Sequence, residues 1–579
     1  MSAERREDIG WAVVERAVPV PARDGAALVC DVYLPRSARR SPALLQRSAC
    51  GRDAPDARFW TERGYAFVVQ DVRGRRDSDG SFVPFEHDAA DGYDAVAWIA
   101  GQDWSDGAVG MLGQSYAAGA QYQLLAGNPP LSLRAAVPMG GPTDLRDGWA
   151  YTRGGALELG WVLPWALELA RDTATRDASA RLAPPLARVP ERPLLAGIPS
   201  APTPEDAYER LPLLALARDI ESQRWLRDYL THPDDGGYWW ATNARQRAGA
   251  LNVPALHVTG WYDPLQHGML AMFTAASQLA PAYARRAQHL LVGPWAHSTP
   301  FGAPADGLDL DGAQTVSLLD VQARWFDHWL RGAENAVPDA RPVVYFVMGR
   351  NAWAAADTWP PPDAEPWPLY LHSHGRANAL VGDGVLSPTE PGAEEPDRYV
   401  YDPAHPVPSL GGASLLLPAG ALDQRPAELR DDVLVYTTAP LQAAVEVTGP
   451  IRLALYASTT AFDTDFVAKL VDVHADGTAR LVSDGMIRAR YRDSPVQPSL
   501  LRPGQVYRFE LDLGATSIEF APGHCVRLEI ASSNFPRWDR NLNTGRSPAE
   551  DAAPLRALQT VFHTSAYPSQ LLLPVRRSA

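Results

Sequence analysis

The stretch Gly113-Gln114-Ser115-Tyr116-Ala117 lies between an apolar run, Val109-Gly110-Met111-Leu112, and a helix-forming run from Ala117 to Ala126. A serine held between a strand and a helix sits on a sharp turn, and only small neighbours two residues away on either side leave room for it. Gly113 and Ala117 meet that requirement, although glycine is usual where Ala117 stands. The pattern is that of a nucleophile elbow, which lifts the hydroxyl above the sheet and offers the next backbone N–H to an oxyanion. Taken alone, an ordinary Gly/Ser turn reads the same way.

Two later segments separate these readings. Gly260-Trp261-Tyr262-Asp263 follows the apolar run 255–258, and Gly293-Pro294-Trp295-Ala296-His297-Ser298 follows the run 289–292. Each places a catalytic-type side chain just past the C-terminal end of a predicted strand, the edge at which open α/β sheets bind ligands. The chain order Ser, Asp, His is that of an α/β-hydrolase. Ser115 then reads as nucleophile, His297 as its base, and Asp263 as the group that orients the imidazole.

The rest of the chain divides around this framework. Strands predicted at 27–33, 43–47, 66–71 and 109–112, with a helix at 88–99, make residues 1–144 the first part of an α/β-hydrolase core. Residues 145–241 lose the strand signal. Helices predicted at 157–170, 207–216 and 220–230, with a Pro-rich separator at 184–204, read as an inserted helical cap. Residues 242–340 return to the core and end in an aromatic-rich helix at 316–330. From 341 to 579, short runs at 343–348, 451–458, 466–473, 486–491, 505–513 and 525–532, separated by Pro/Gly/Asp turns, predict a β-sandwich.

Composition agrees. A chain of 579 residues exceeds one compact domain, and 46% hydrophobic with 21% charged residues describes a globular protein. The net charge of −15 opposes nucleic acid and anionic membrane as partners. Cys30, Cys50 and Cys525 are too scattered for a disulfide framework or a thiolate metal site. No metal or organic cofactor is expected. The charged start, Met1-Ser2-Ala3-Glu4-Arg5-Arg6-Glu7-Asp8, has no apolar core behind it, so the expected location is cytoplasmic. The expected partner is a small-molecule ester or amide, and a homodimer is the one protein assembly admitted.

The chain resembles the cocaine esterase and X-Pro dipeptidyl-peptidase (CocE/NonD) family of serine hydrolases. The residues that carry the resemblance span nearly the whole length. They include Gly64-Tyr65-Ala66, Gln70-Asp71-Val72-Arg73-Gly74, Ser78-Asp79-Gly80, Trp104-Ser105-Asp106-Gly107 and the elbow itself. Farther on are Arg324-Trp325-Phe326-Asp327, Asp423-Gln424-Arg425-Pro426, Asp463-Thr464-Asp465-Phe466 and Asp484-Gly485-Met486-Ile487-Arg488. The resemblance implies that the C-terminal sandwich is a jelly roll and that the substrate is an ester or activated amide. It also implies an acyl pocket that Trp165 matches directly, with Trp149 one residue out of step. Leu265, Leu415 and Leu416 stand at further pocket positions, Leu265 where cocaine esterase has an aromatic residue.

One position departs from that pattern. The family places an oxyanion tyrosine in a run that reads here Arg47-Ser48-Ala49-Cys50-Gly51-Arg52-Asp53, so Cys50 stands in its place. The Tyr116 N–H is then the retained oxyanion donor, and Cys50 contributes at most a weak thiol donor. Another donor, a slow enzyme, or a chain recruited for acyl transfer or binding are the three consequences left open. Dipeptidyl-peptidase activity ranks behind esterase or amidase activity, because no cluster for gripping a substrate ammonium is visible. Cys50 as a nucleophile is opposed by the absence of a histidine from its loop, although Arg47 and Arg52 are close in sequence. Asp71 and Arg73 read as a structural ion pair, His232 with Trp239 and Trp240 as packing, and His267 as a pocket-lining side chain.

Overall fold

The computed structural model describes residues 6–576 except 38, 177–191, 196–197, 201–204, 299–300, 313, 315 and 338. Its first layer is an eleven-stranded sheet. From one edge it runs Arg6–Asp8, Ala12–Pro21, Ala27–Pro35, Ala66–Asp71, Ser41–Ser48, Ser105–Gln114, Leu133–Met139, Ala255–Tyr262, Gln288–Ala296, Val343–Val347 and Ala352–Ala356. The strands from Ala66–Asp71 to Val343–Val347 are parallel neighbours, and the two edges are antiparallel. Ala66–Asp71 and Ala255–Tyr262 are buried at every position, as strands covered on both faces must be. On one face Val96, Ile99, Tyr122 and Met272 pack from helices; on the other, Trp60, Trp325 and Phe326 do so.

The chain crosses from Ser41–Ser48 to one side and later returns on the other as Ser105–Gln114. At this switch point two strand ends diverge and leave a crevice. The loop carrying Cys50 and the elbow carrying Ser115 leave the sheet there.

Several sequence expectations need correction. Residues 343–348 were expected in the sandwich, yet Val343–Val347 pairs with Gln288–Ala296 and Ala352–Ala356 continues the same sheet. The sheet core therefore runs past 341. The same strand then meets the other layer, where Met348 N–H reaches Ser517 O at 3.0 Å and Glu519 N–H returns to Met348 O at 2.8 Å. A short apolar strand carries no mark of which sheet it joins. The strands Ala12–Pro21 and Leu133–Met139 had not been expected. The helix expected at 207–216 is two, Glu205–Glu209 and Leu214–Asp219, because Pro212 has no N–H to continue the first. The strand expected at 486–491 ends at Arg488 and passes into a 3₁₀ turn, Ala489–Tyr491. Asp71 and Arg73 do not pair with each other. Arg52 binds Asp71, and Arg73 binds Asp91 (2.6 Å) and Asp24 (2.8 Å).

Between the sheet halves lie the helices Leu159–Arg176, Glu205–Glu209, Leu214–Asp219, Arg224–Thr231 and Gly237–Trp240. Within the expected separator 184–204, Arg192–Leu195 and Ile198–Ser200 form a two-stranded ladder, and the remainder lies outside the described residues. Trp149, Trp161, Trp165, Trp225 and Trp239 fuse this region into one cluster, whereas Trp240 is exposed. Among the described residues no helix is long and apolar enough to cross a membrane.

The C-terminal region is rich in antiparallel strands, chief among them Val445–Thr459, Asp465–Val473, Ala479–Arg488, Tyr507–Phe520 and Cys525–Ala531. The charged motifs at 463–466 and 484–488 form buried ion pairs, whereas the Arg425–Asp423 pair faces solvent. Arg488 binds Asp465 through Nε and Nη2 (2.9 Å each) and Asp539 through Nη1 (3.1 Å). Asp463 receives Arg490 at 2.7 Å. Arg488→Met is expected to leave two buried carboxylates uncompensated and to cost roughly 3–5 kcal/mol. Urea unfolding of the two proteins measures this, and a loss below about 1 kcal/mol, the surface-pair range, contradicts it. Tyr65 OH donates to Asp327 (2.7 Å) under the Arg331 guanidinium, so two sequence motifs separated by most of the core close on each other.

Candidate active site

Ser115 links Ser105–Gln114 to the helix Tyr116–Leu125 with φ 60° and ψ −118°. This is a strained conformation for a residue with a side chain. Its N–H is tied to Met139 O at 2.9 Å. The pentad sequence follows from space. A Cβ on Gly113 would sit 2.6 Å from the Ala117 Cβ. Alanine is tolerated at 117 because position 113 has no side chain. A Cβ on Gly141 would meet the Ala118 Cβ at 2.3 Å, so the helix is pressed onto the next loop as well.

Asp263 and His297 end neighbouring parallel strands, and their side chains are fully buried. Asp263 Oδ1 accepts from His297 Nδ1 at 3.2 Å and from the Leu265 N–H at 2.8 Å. His297 Nε2 is buried and has no hydrogen-bond partner among the described residues. The expected Ser115–His297 hydrogen bond is therefore absent, while the Asp263–His297 bond is present. Such bonds are commonly loose before substrate arrives and tighten in the complex. Phe301 stands edge-on to the imidazole at 6.0 Å, and Gln114 Nε2 donates to Ser298 O at 2.8 Å, tying the end of the serine strand to the histidine loop.

Gly140 was not anticipated as part of this arrangement. It has φ +47°, and a Cβ there would lie 2.3 Å from Asp263 Oδ2 and 3.2 Å from His297 Nδ1. Only a residue without a side chain lets this loop pass beside the pair. The signal was the Gly140-Gly141-Pro142 run after an apolar segment.

The residue after Ser115 is positioned from below. Tyr116 OH donates to Asp88 Oδ2 (2.6 Å) and accepts from the Phe85 N–H (3.1 Å), and its ring stacks on Phe85 at 4.3 Å. Asp88 in turn receives the buried Arg47 at 2.5 Å, and Arg47 Nε donates to Gln70 at 3.0 Å. Burial holds the Tyr116 phenol well above its ordinary pKa, so it stays protonated and keeps donating. As the first helical residue, Tyr116 has a backbone N–H with no intrahelical acceptor.

Cys50 occupies the facing loop. Its N–H is used by Ser48 Oγ (3.1 Å) and its carbonyl by Arg76 (3.1 Å). Burial, with Glu168 nearby, pushes its thiol up to about 12. Neither Arg47 nor Arg52 serves it: the first turns to Asp88, the second to Asp31, Asp71 and Asp77. Burial and Glu168 outweigh the nearby Arg75 and Arg76, so the thiol is a protonated filler with a weak S–H donor rather than a nucleophile. Arg75, also missed in the sequence, fastens this loop to the helix Leu159–Arg176. Its Nε donates to Ala49 O at 2.9 Å and its Nη2 meets Asp172 at 2.7 Å.

Trp149, Trp165 and Leu265 are buried in one cluster with Tyr116 and Ala49, and Leu415 and Leu416 pack on it half-buried. Trp165 lies 6.4 Å from the Tyr116 ring and 5.2 Å from that of Trp149. His267 is not among them. It lines a separate cavity of about 100 Å³ that also reaches Asp263, together with Arg153 and Asp484. His257 is a core side chain, bonded to Tyr122 OH (2.7 Å) and Gln288 (3.0 Å), and burial brings it down to about 4.

Residues 24–299 match the X-Pro dipeptidyl-peptidase (S15 family), and residues 335–572 match the X-Pro dipeptidyl-peptidase C-terminal non-catalytic domain. The cocaine esterase of Rhodococcus sp. (strain MB1 Bresler) is 38% identical, with 96% of this chain and 98% of that protein covered. The chain belongs to the CocE/NonD family of serine hydrolases. Two solved structures are similar over nearly their full length. An aminopeptidase from a marine sediment archaeon, Thaumarchaeota archaeon, has a TM-score of 0.83 at 25% identity, with both chains fully covered. An α-amino acid ester hydrolase has 0.80 at 27% identity, over 98% of this chain and 97% of its own. A CocE/NonD family hydrolase from Staphylococcus aureus, 18% identical with a TM-score of 0.70, shares the fold.

Proposed function

We propose that this CocE/NonD hydrolase cleaves a carboxylic ester through an acyl-enzyme on Ser115. The observation that carries the reading is the Asp263–His297 pair, in which one ring nitrogen is held and the other is buried and unpartnered among the described residues. With Nδ1–H fixed on Asp263, the lone pair of the neutral imidazole is at Nε2. Nε2 takes the Ser115 proton as Oγ attacks the ester carbonyl, and Asp263 stabilises the imidazolium. The carbonyl oxygen becomes an oxyanion facing the Tyr116 N–H. Collapse expels the alcohol, protonated from Nε2. Water, deprotonated by the same nitrogen, then releases the acid. The apolar cluster around Trp165, Trp149, Leu265 and Leu416 is the wall for the acyl group. No cofactor enters these steps. Labelling of Ser115 by a fluorophosphonate tests the reading; an unlabelled serine favours a binding protein.

Amide or amino-acid ester cleavage is the second reading. It is supported by the likeness to an aminopeptidase and an α-amino acid ester hydrolase. Comparing kcat/KM for an acyl nitrophenyl ester and an aminoacyl nitroanilide decides between them.

The oxyanion site gives a sharper test. A protonated thiol at position 50 is a poor substitute for a phenol. If the missing phenol is the whole defect, Cys50→Tyr raises kcat on an aryl ester by on the order of 10²-fold or more, the usual worth of one donor. An unchanged or lower kcat means that the loop has been rebuilt around Cys50, and acyl transfer or binding becomes the better reading.

A further inference from the structure

In the C-terminal region the strands Asp465–Val473 and Ala479–Arg488 are joined by the turn His474-Ala475-Asp476-Gly477-Thr478. Gly477, at φ 85°, closes the turn, and the His474 N–H is held by Thr478 O at 2.9 Å. On the opposite side of Asp465–Val473 runs Cys525–Ala531, preceded by His524. The His524 carbonyl accepts from the Leu441 N–H at 2.8 Å. Both histidines thus hang from fixed backbone, and Asp472 lies between them on the central strand.

The donor atoms of Asp472, His474 and His524 all fall within 4.8 Å of one another. His524 Nδ1 lies 2.9 and 3.1 Å from the two carboxylate oxygens, and His474 Nε2 lies 3.5 Å from Oδ2. The two rings are 4.4 Å apart and inclined by 31°. A tetrahedral centre with bonds of about 2.0–2.1 Å has donor–donor edges of about 3.3–3.4 Å. The His474–Asp472 separation matches such an edge, and the His524–Asp472 contact, now a hydrogen bond, opens by a few tenths of an ångström to reach it.

Charge points the same way. The Asp472 side chain is only 8% exposed. Among the described residues its ion-pair partners are these two histidines and no lysine or arginine. Arg480, its cross-strand neighbour, sends its guanidinium to Ala421 O at 3.3 Å. Hydrogen bonding to an imidazole compensates a buried carboxylate less than coordination of a dication does.

We propose that Asp472, His474 and His524 bind a divalent ion of the zinc type, with water in the fourth position. Two imidazole nitrogens and one carboxylate oxygen suit Zn²⁺ or Co²⁺, whereas Ca²⁺ and Mg²⁺ prefer all-oxygen sets. The ion clips the turn 474–478 to the residue that opens Cys525–Ala531. Binding replaces the proton that His524 Nδ1 shares with Asp472; that proton moves to Nε2 or to water.

The test uses the full-length chain with Co²⁺ and Zn²⁺ as probes. Equilibrium dialysis at neutral pH is expected to leave one Zn²⁺ per chain. Co²⁺ is expected to show the visible bands of a tetrahedral site, and excess Ca²⁺ to displace neither ion. His474→Gln and His524→Gln, singly and together, lose the bound ion and the Co²⁺ bands. His405→Gln, at an exposed histidine elsewhere, keeps both. Far-UV circular dichroism establishes that each variant is folded. A wild-type chain that retains no stoichiometric Zn²⁺, or a double variant that binds as well as wild type, overturns the proposal.

Discussion

Ser115→Ala is expected to lower kcat on an aryl ester by on the order of 10⁵-fold or more, with KM nearly unchanged. The elbow gives the reason. Its backbone conformation, φ 60° and ψ −118°, is imposed by the strand, the helix and the Met139 carbonyl that holds the serine N–H. Alanine inherits that conformation, so the fold, the Tyr116 N–H and the apolar wall persist while the nucleophile is lost. Residual catalysis over water then reports the oxyanion donor and substrate binding alone. Activity within tenfold of wild type excludes Ser115 as nucleophile. Activity that survives Ser115→Ala and then vanishes with a chelator excludes it as well.

Asp263→Ala is expected to reduce kcat by about 10⁴-fold, the scale of losing the orienting carboxylate of such a triad. Asp263→Asn should do less, and the structure says why. The same oxygen, Oδ1, accepts from both His297 Nδ1 and the Leu265 N–H, while Oδ2 has no hydrogen-bond partner among the described residues. An asparagine that keeps its carbonyl at the Oδ1 position retains both bonds and the productive tautomer, losing only the negative charge. Its amide N–H₂ then falls beside Gly140, where a carboxylate oxygen lay before. Measuring kcat for both variants checks this. An asparagine variant as impaired as the alanine one means that the amide has flipped and fixed the wrong tautomer.

The sequence by itself determined where the chemistry-bearing side chains leave the sheet. Ser115, Asp263 and His297 each follow a short apolar run that reads as a buried strand, and their order along the chain matches their order across the sheet. The small residues at 113 and 117 were legible for the same local reason: the clash they avoid is between positions four apart. The tryptophans at 149 and 165 were placed through the family resemblance, and they do pack together beside Tyr116.

What only the tertiary structure decided concerns partners far apart in the chain. Arg47, Asp88 and Tyr116 converge beneath Ser115, and Arg75 fastens the Cys50 loop, through the Ala49 carbonyl, to Asp172. Gly140 passes beside the Asp–His pair, Val343–Val347 joins the first sheet, and Asp472 gathers His474 and His524. Periodicity and turn residues report whether a segment is buried and how it bends. They carry no information on which distant segment lies against it, and a charged residue looks the same in sequence whether it faces water or a buried carboxylate. The partner is chosen when sheets and helices pack, because only there does the cost of leaving a buried charge alone take effect.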